Sequence, residues 1–568
     1  MNFSTALKLN DVDDYITPSL ECIKPVKIPT EVGKTKSISI CEDGTYIATN
    51  DMGEKYTLTK AKIDLNDCLA CSGCITTAET ILVSQHSVDS FLDLIKESEK
   101  YEIVMALSPQ SLASLTASFQ NRCDSLPRSL IESFCSELGS LSDGFGMTEV
   151  LNFCWRLLHS RGVTSQPFLD TTWSRDISLS AAAEEFVNVF KSEVDAPTLP
   201  VLTGICPGWV CYAEKTHFKL PSKSNDVDES FLLKHISRVR SPQQLLAGVL
   251  KSSSINRRLY LVFVMPCYDK KLEASRSEFT VNGDDLQKEA DLVLGTNEFV
   301  SVLEALLKKP AQESMKQDSA PLSLNQKLVF GRKILKVLLN TYIEFYVFLS
   351  RSSNLLLGNA YSYKNYRHAG SGSGGYAFAV LWQAAQTLFN IRLPLNVTDD
   401  PRVLIRSLGN HDLQEILLFN SLEDCQTARV NVPAGRTPYR NCGIKPKPLL
   451  VFLIANGFRN IQTVVQQLKR AYSKAHSSRA SLREEIAFDY VEIMACPNGC
   501  LNGGAQLNTP LTNVSQAYFS QDEQDLLASE ESKQLLSKIN PSFKPSICYT
   551  TYRSIPKIEI TNPAALKW

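Results

Sequence analysis

Sixteen cysteines are spread over 568 residues, and eight of them fall where thiolate chemistry is the simplest account of their spacing. The tightest group is Cys68, Cys71 and Cys74, in the run NDCLACSGC that starts at Asn66. Three thiols this close cannot all pair with one another as disulfides. Ala70, Ser72 and Gly73 keep the loop slim enough to wrap an inorganic cluster, whose sulfides backbone N–H groups can reach. Ile75, Thr76 and Thr77 follow in place of a fourth cysteine, so the fourth ligand must come from elsewhere, with Cys22 and Cys41 as the upstream candidates. A zinc site of four cysteines is the rival reading, although such sites favour two separated C-x2-C pairs.

The second group is dispersed along the chain. Cys206, Cys267 and the pair Cys496/Cys500 each follow an apolar run that reads as a strand: LPVLTGI, LYLVFVMP and VEIMA. Ligand sites in open α/β sheets form beyond the carboxyl ends of the strands, so three strand ends that each deliver a thiol point to one convergent site. Four thiolates suffice for a [4Fe–4S] cluster. Gly499, Gly503 and Gly504 let the backbone approach it closely. Lys270, three residues beyond Cys267, could present an ammonium to a negatively charged cluster, or be a solvated lysine of the Asp269-Lys270-Lys271 run. The other eight cysteines (Cys41, Cys123, Cys135, Cys154, Cys211, Cys425, Cys442 and Cys548) lack ligand-like spacing and read mostly as small buried hydrophobes, Cys211 being the least certain.

The elements that must hold these thiols are legible from hydrophobic patterning. Strands are expected over 102–107, 199–203, 259–265, 291–294, 449–454 and 490–495. Helices are expected over 181–191, 242–252, 298–308, 325–351, 377–388 and 461–475. Near-continuous apolar strands alternating with helices imply parallel sheets covered on both faces, hence an α/β fold. Polar, turn-rich breaks lie at 220–230, 274–287 and 309–326, the last being the best lobe boundary. The glycine-rich run Gly370–Gly375 lacks the Lys-Ser/Thr of a phosphate loop and reads as a tight helix start beside the thiol site. His368 and His411 read as satisfied or surface residues, and the basic stretch Arg459–Arg483 as a solvated face.

Composition narrows the function classes. With 59 Lys+Arg against 60 Asp+Glu, the chain has no bulk attraction for nucleic acid or anionic membrane. The start carries Asp11, Asp13 and Asp14 without a basic leader or apolar core, so no targeting segment is expected. The most apolar stretch, Leu328–Leu349, is interrupted by Arg332, Lys333, Lys336 and Glu344 and reads as a buried helix. A cytoplasmic protein in a reducing compartment follows, with a nuclear share also allowed.

TGICPGW (Thr203–Trp209), MPCYDKKLE (Met265–Glu273) and EIMACPNGCLNGG (Glu492–Gly504) resemble the three cluster-binding signatures of iron-only hydrogenases. Together with LNDCLACSGC and Cys22, they resemble more narrowly the hydrogenase-like cytosolic iron–sulfur assembly factors, the Nar-type family related to the nuclear prelamin A recognition factor. The resemblance spans nearly the whole chain. It implies two α/β lobes with mainly parallel sheets enclosing an iron–sulfur site, preceded by a small ferredoxin-like cluster domain. It also implies two [4Fe–4S] clusters, one on Cys22, Cys68, Cys71 and Cys74, the other on Cys206, Cys267, Cys496 and Cys500. The expected division is 1–98 for the N-terminal cluster domain, 99–309 for a first lobe holding Cys206 and Cys267, and 310–325 for a linker. A second lobe with Cys496 and Cys500 would span 326–540, and a tail 541–568.

In the hydrogenases, the position of Cys500 also bridges to a two-iron subsite, and that of Lys270 contacts the subsite's ligands. A cysteine stands immediately before the position of Cys206 and relays the proton; here it is Ile205, which has no ionisable proton. Lys270 and Glu273 remain, yet the departure favours an assembly factor over a hydrogenase or another electron-transfer oxidoreductase. The implied role is a non-catalytic link between the cytosolic scaffold proteins and the late targeting complex. The resemblance implies that Leu566 and Trp568 match a terminal pattern read by that complex, whereas Lys567 departs from it; an anchor at Trp568 and an uncommitted end both stay open.

Overall fold

The computed structural model describes residues 35–40, 46–50, 55–58, 82–97, 100–138, 145–163, 168–191, 197–216, 231–253, 259–281, 284–309, 366–432, 435, 437–478, 482–523 and 547–554. Cys22, Cys41, Cys68, Cys71, Cys74, the linker 310–325, the expected helix 325–351 and Trp568 lie outside the described residues. Near the N-terminus three short strands, Thr35–Ile40, Tyr46–Asn50 and Lys55–Leu58, pair antiparallel.

Two larger sheets carry the fold. The first is parallel, in the order Leu292–Gly295, Leu259–Met265, Glu102–Leu107, Leu169–Asp170. Its central strand is apolar throughout because helices cover both faces. Val262 and Val264 point into a core shared with Leu115, Phe153 and Phe299 from the helices Pro109–Gln120, Met147–Ser160 and Thr296–Leu307. Leu261, Phe263 and Met265 alternate to the other face, against Leu246 and Ala247 of the helix Pro242–Ser253.

The second sheet runs Val403–Ser407, Leu413–Leu418, Leu450–Asn456, Tyr490–Met494, Val201–Leu202. Its first two pairings are antiparallel and the remaining two parallel, so this sheet is mixed. Phe452 and Tyr490 meet Phe186 of the helix Thr172–Lys191, with ring centroids 5.1 and 5.6 Å away. Val451, Leu453 and Ile493 face Ile461, Val464 and Leu468 of the helix Phe458–Ser478.

The chain crosses between the lobes more than once, which corrects the expected boundaries. Val201–Leu202, expected in the 99–309 lobe, pairs with Tyr490 and Val491 of the second sheet. The helix Thr172–Lys191 packs in the second core, whereas Val514 and Tyr518 of the helix Leu511–Phe519 pack in the first. Hydrophobic patterning marks an element but not the sheet it joins. The expected tail is also partly built in: Thr550 N–H donates to Arg238 O (2.7 Å), Arg240 N–H to Cys548 O (2.8 Å), and the Tyr552 hydroxyl to Gly204 O (3.3 Å). Among the described residues, no helix is long and apolar enough to cross a membrane.

Two buried histidines make this packing sensitive to acid. His235 Nδ1 faces the carbonyls of Thr198 and Pro200 at 3.0 and 3.2 Å, and its Nε2 meets the Tyr472 hydroxyl at 2.8 Å. His86 Nδ1 accepts from Val293 N–H at 3.2 Å. Burial pushes both down to about 4, with Lys271 adding repulsion at His86 and Lys234 at His235. The folded values lie below those of the unfolded chain, so the unfolded state takes up protons first as the pH falls. Stability is therefore intact above about pH 6.5 and lost progressively toward pH 4, by on the order of 3 kcal/mol per histidine. Tm followed from pH 7.5 to 5 is expected to fall, with a shallower slope in a His86→Asn, His235→Asn double variant.

Candidate metal centre

The Val201–Leu202, Leu259–Met265 and Tyr490–Met494 strands end on the same side of the fold, and their following loops bring Cys206, Cys267, Cys496 and Cys500 to one cavity. Two sheets thus contribute strand ends to a single site, in the place where α/β folds put their ligands. Cys206 is the N-cap of the helix Pro207–Lys215, with Pro207 fixing the first turn. The positive end of that helix favours a thiolate. Ala495 N–H donates to Cys206 Sγ at 3.3 Å, Trp209 N–H also reaches it, and Gly504 N–H reaches Cys496.

The Cys496–Cys500 turn is shaped by two left-handed residues, Asn498 (φ 59°) and Gly499 (φ 74°). Gly503 then passes so close to the Cys267 loop that a Cβ there would stand 2.1 Å from Pro266 O. Ala505 N–H donates to the same carbonyl at 3.0 Å, tying the Cys267 loop to the loop that carries Cys496 and Cys500. A larger residue at 503 would push the two loops apart.

Burial pushes all four thiols up, Cys206 to about 12, and each is raised further by neighbouring thiols of the set or nearby acids. Lys270 and Arg175 oppose this at Cys500, after a hydrogen bond from Ser373. Four buried thiols that disfavour their own ionisation are a poor stand-alone arrangement; a bound cation that takes the thiolates reverses the balance. Among the described residues, no three His, Cys, Asp or Glu side chains stand where a single ion could hold them together. The thiols ring a cavity, and one thiolate per corner is what a four-iron cluster requires. The donor set and the close glycine approach fit such a group.

Lys270 lines the cavity and is buried, not solvated. Its ammonium donates to Glu273 Oε2 (2.9 Å) and to the carbonyl of Ile205 (3.2 Å). Glu273 Oε2 also accepts from Ser241 (3.0 Å) and Gln243 (3.3 Å). Ile205 places an apolar side chain on the cavity wall.

The remaining cysteines divide. Cys154, Cys211, Cys425 and Cys548 are buried, as expected for small hydrophobes, and Cys211 stands away from the cavity. Cys135 is exposed and Cys123 and Cys442 are half-buried, which corrects that reading for these three. Gly370–Gly375 does lead into a helix start beside the thiols, with Gly375 (φ 73°) as N-cap of the helix Tyr376–Phe389. His368 is satisfied by Asp176 at 2.5 Å, and His411 is at the surface, 2.6 Å from Asn498.

The cavity-side residues that escaped sequence reasoning include Arg175, Gln110 and Ser373. Glu492, which lies behind the glycine-rich loop, had a signal, being the one charge in the strand YVEIM. It is fully buried and accepts from the N–H groups of Ala377 (2.7 Å) and Tyr376 at the helix start, and from Ser371.

Comparison with known proteins bears on this geometry. The family described as iron only hydrogenase large subunit, C-terminal domain, matches residues 138–334 and 361–504. The chain is 35% identical over 523 residues to the cytosolic Fe-S cluster assembly factor narfl of Xenopus tropicalis, covering 89% of this chain and 85% of that one. It is 36% identical to cytosolic iron-sulfur assembly component 3 of Pongo abelii, with the same coverages. A probable cytosolic Fe-S cluster assembly factor of Anopheles gambiae is 32% identical over 100% of this chain and 99% of its own. Among solved structures, an apo variant of the [FeFe]-hydrogenase HydA1 from Chlamydomonas reinhardtii superposes with a TM-score of 0.49 at 16% identity, over 82% of this chain and 99% of that one.

Proposed function

The chain belongs to the cytosolic Fe–S cluster assembly factors of the iron-only hydrogenase family, and on that premise we propose that it is a non-catalytic [4Fe–4S] adaptor. It links the cytosolic cluster scaffold to the late targeting complex and is needed to mature cytosolic and nuclear iron–sulfur proteins. The observation that carries the proposal is the convergence of Cys206, Cys267, Cys496 and Cys500 on one cavity. A second cluster is assigned to Cys22, Cys68, Cys71 and Cys74, and contact with the targeting complex to Trp568.

When bound, a [4Fe–4S] cluster supplies one-electron chemistry and a unit of iron and sulfide that can be handed on. The residues around it hold and shield. The thiols bind, the N–H groups of Ala495, Trp209 and Gly504 support their charge, and the apolar walls of Ile205, Met265 and Met494 exclude water. A buried site of this kind suits retention, and the N-terminal loop is assigned the more accessible cluster.

Ile205 also argues against hydrogen turnover, since an alkyl group cannot pass a proton to a metal. The Lys270 ammonium is engaged by Glu273 and the Ile205 carbonyl. Anaerobically purified protein is expected to evolve no hydrogen from reduced viologen; evolution abolished by Cys500→Ala would establish the oxidoreductase reading instead. The proposal is tested by depleting the protein from cells and assaying a cytosolic iron–sulfur enzyme. Its activity is expected to fall while a mitochondrial iron–sulfur enzyme keeps its own. An unchanged cytosolic enzyme removes the proposal.

A further inference from the structure

The glycine-rich loop does more than start a helix, because it is moulded onto the turn that carries Cys500. A Cβ on Gly372 would stand 2.4 Å from Leu501 Cδ1, and one on Gly375 would stand 2.0 Å from Ala369 O. Gly499, in turn, leaves room for Ser373, whose Oγ would be 2.3 Å from a Cβ at that position. With φ of +106°, +117° and +73°, Gly370, Gly374 and Gly375 hold a path that other residues rarely adopt.

The loop is anchored at several points, and Ser373 uses that rigidity. Ser371 donates to the buried Glu492 carboxylate, which also caps the helix start through Ala377 N–H. Gln110 Nε2 donates to Gly372 O at 2.9 Å, and Gly374 N–H to Ser371 O at 3.1 Å. Ser373 Oγ accepts from Cys500 N–H at 3.0 Å, which leaves its one proton to point elsewhere. The Ser373 hydroxyl also opposes the upward push of burial on the Cys500 thiol, the effect of a donor near that sulfur.

We propose that Ser373 is a positioning residue for the inner cluster: its hydroxyl holds the Cys500 turn through the backbone N–H and donates to the Cys500 sulfur. This rests on the reading of Cys206, Cys267, Cys496 and Cys500 as cluster ligands. A hydrogen bond to a ligating sulfur draws charge from it, which favours the more negative reduced cluster and raises its reduction potential. The same bond fixes the ligand's orientation, as second contacts to metal ligands generally do.

The test compares anaerobically purified wild-type, Ser373→Ala and Ser373→Thr proteins. Iron and sulfide are counted, and a potentiometric titration is followed by electron paramagnetic resonance. The inner signal is identified as the one missing in Cys496→Ser protein. Ser373→Ala is expected to lower the inner potential and to lose the inner cluster to a chelator roughly 10-fold faster. Ser373→Thr, which keeps the hydroxyl, is expected to restore both. An iron-replete Ser373→Ala protein with the wild-type potential overturns the proposal, as does Ser373→Thr behaving like Ser373→Ala. If the wild-type protein itself lacks inner iron, the ligand reading fails, which is a separate result.

Discussion

Cys496→Ser protein purified without oxygen is expected to contain about four fewer iron and about four fewer sulfide per chain than the wild type, out of about eight of each if both clusters are [4Fe–4S]. The reason is geometric. Cys496 is one of four thiols on a single cavity, and it sits on the short turn that also carries Cys500. A serine hydroxyl is a harder and far less acidic ligand than a thiol, so one iron loses its anchor. Among the described residues, the surrounding walls offer no replacement thiol: Cys211 is buried elsewhere, and Cys154, Cys425 and Cys548 lie in the cores. Cys425→Ser should therefore keep the full iron count, and Cys68→Ser should lose the other half. Unchanged iron in Cys496→Ser would remove the inner site, and unchanged iron in Cys68→Ser would remove the N-terminal one. Stoichiometric zinc without sulfide in the wild type would replace both with a structural metal.

Arg276→Ala is expected to destabilise the fold by about 3–5 kcal/mol, because it strands a buried carboxylate. Glu214 is 1% exposed and meets the Arg276 guanidinium through two hydrogen bonds of 2.9 and 2.6 Å. Burial opposes the charge on Arg276, but the carboxylates of Glu214 and Glu278 outweigh it and hold the guanidinium above its usual range. Three chain segments meet here. Glu214 belongs to the helix that Cys206 caps, and Arg276 follows the Asp269–Ala274 helix after Cys267. Arg553 N–H donates to Glu214 Oε1 at 3.3 Å, and the Tyr552 ring stands 5.9 Å from the guanidinium. Replacing both partners, as in Arg276→Met with Glu214→Leu, removes the uncompensated charge and should recover much of the loss. Denaturant unfolding of the single and double variants measures this. An Arg276→Ala protein within about 1 kcal/mol of wild type would show that water reaches Glu214.

The parts of this architecture that sequence reveals are those governed by one simple force. Leu259–Met265 reads as a strand because both of its faces are covered, and the three strand ends read as one site because thiols are rare and their loops short. The helix Phe458–Ser478 reads correctly because Ile461, Val464, Val465 and Leu468 form a buried stripe opposite a basic face. The helix Pro109–Gln120 was invisible for the opposite reason: Gln110, Ser111, Ser114, Thr116 and Ser118 are buried alongside its apolar residues, which erases the period. The strands Val403–Ser407 and Leu413–Leu418 were missed because Arg406 and Glu415 interrupt them, yet these two are cross-strand partners joined by a 2.6 Å ion pair. Ser373 and Arg175 belong to the site through contacts between residues far apart in sequence, and spacing carries no trace of those.

One complementation measurement tests most directly the proposal that a buried cluster serves assembly of other iron–sulfur proteins. Cells depleted of the protein are resupplied with wild-type, Cys496→Ser or Ile205→Ala protein, and radioactive iron entering a cytosolic iron–sulfur enzyme is counted. Wild type and Ile205→Ala are predicted to restore incorporation, since the alkyl group at 205 only walls the cavity, whereas Cys496→Ser is predicted to leave it at the depleted level. Full restoration by Cys496→Ser would contradict the account.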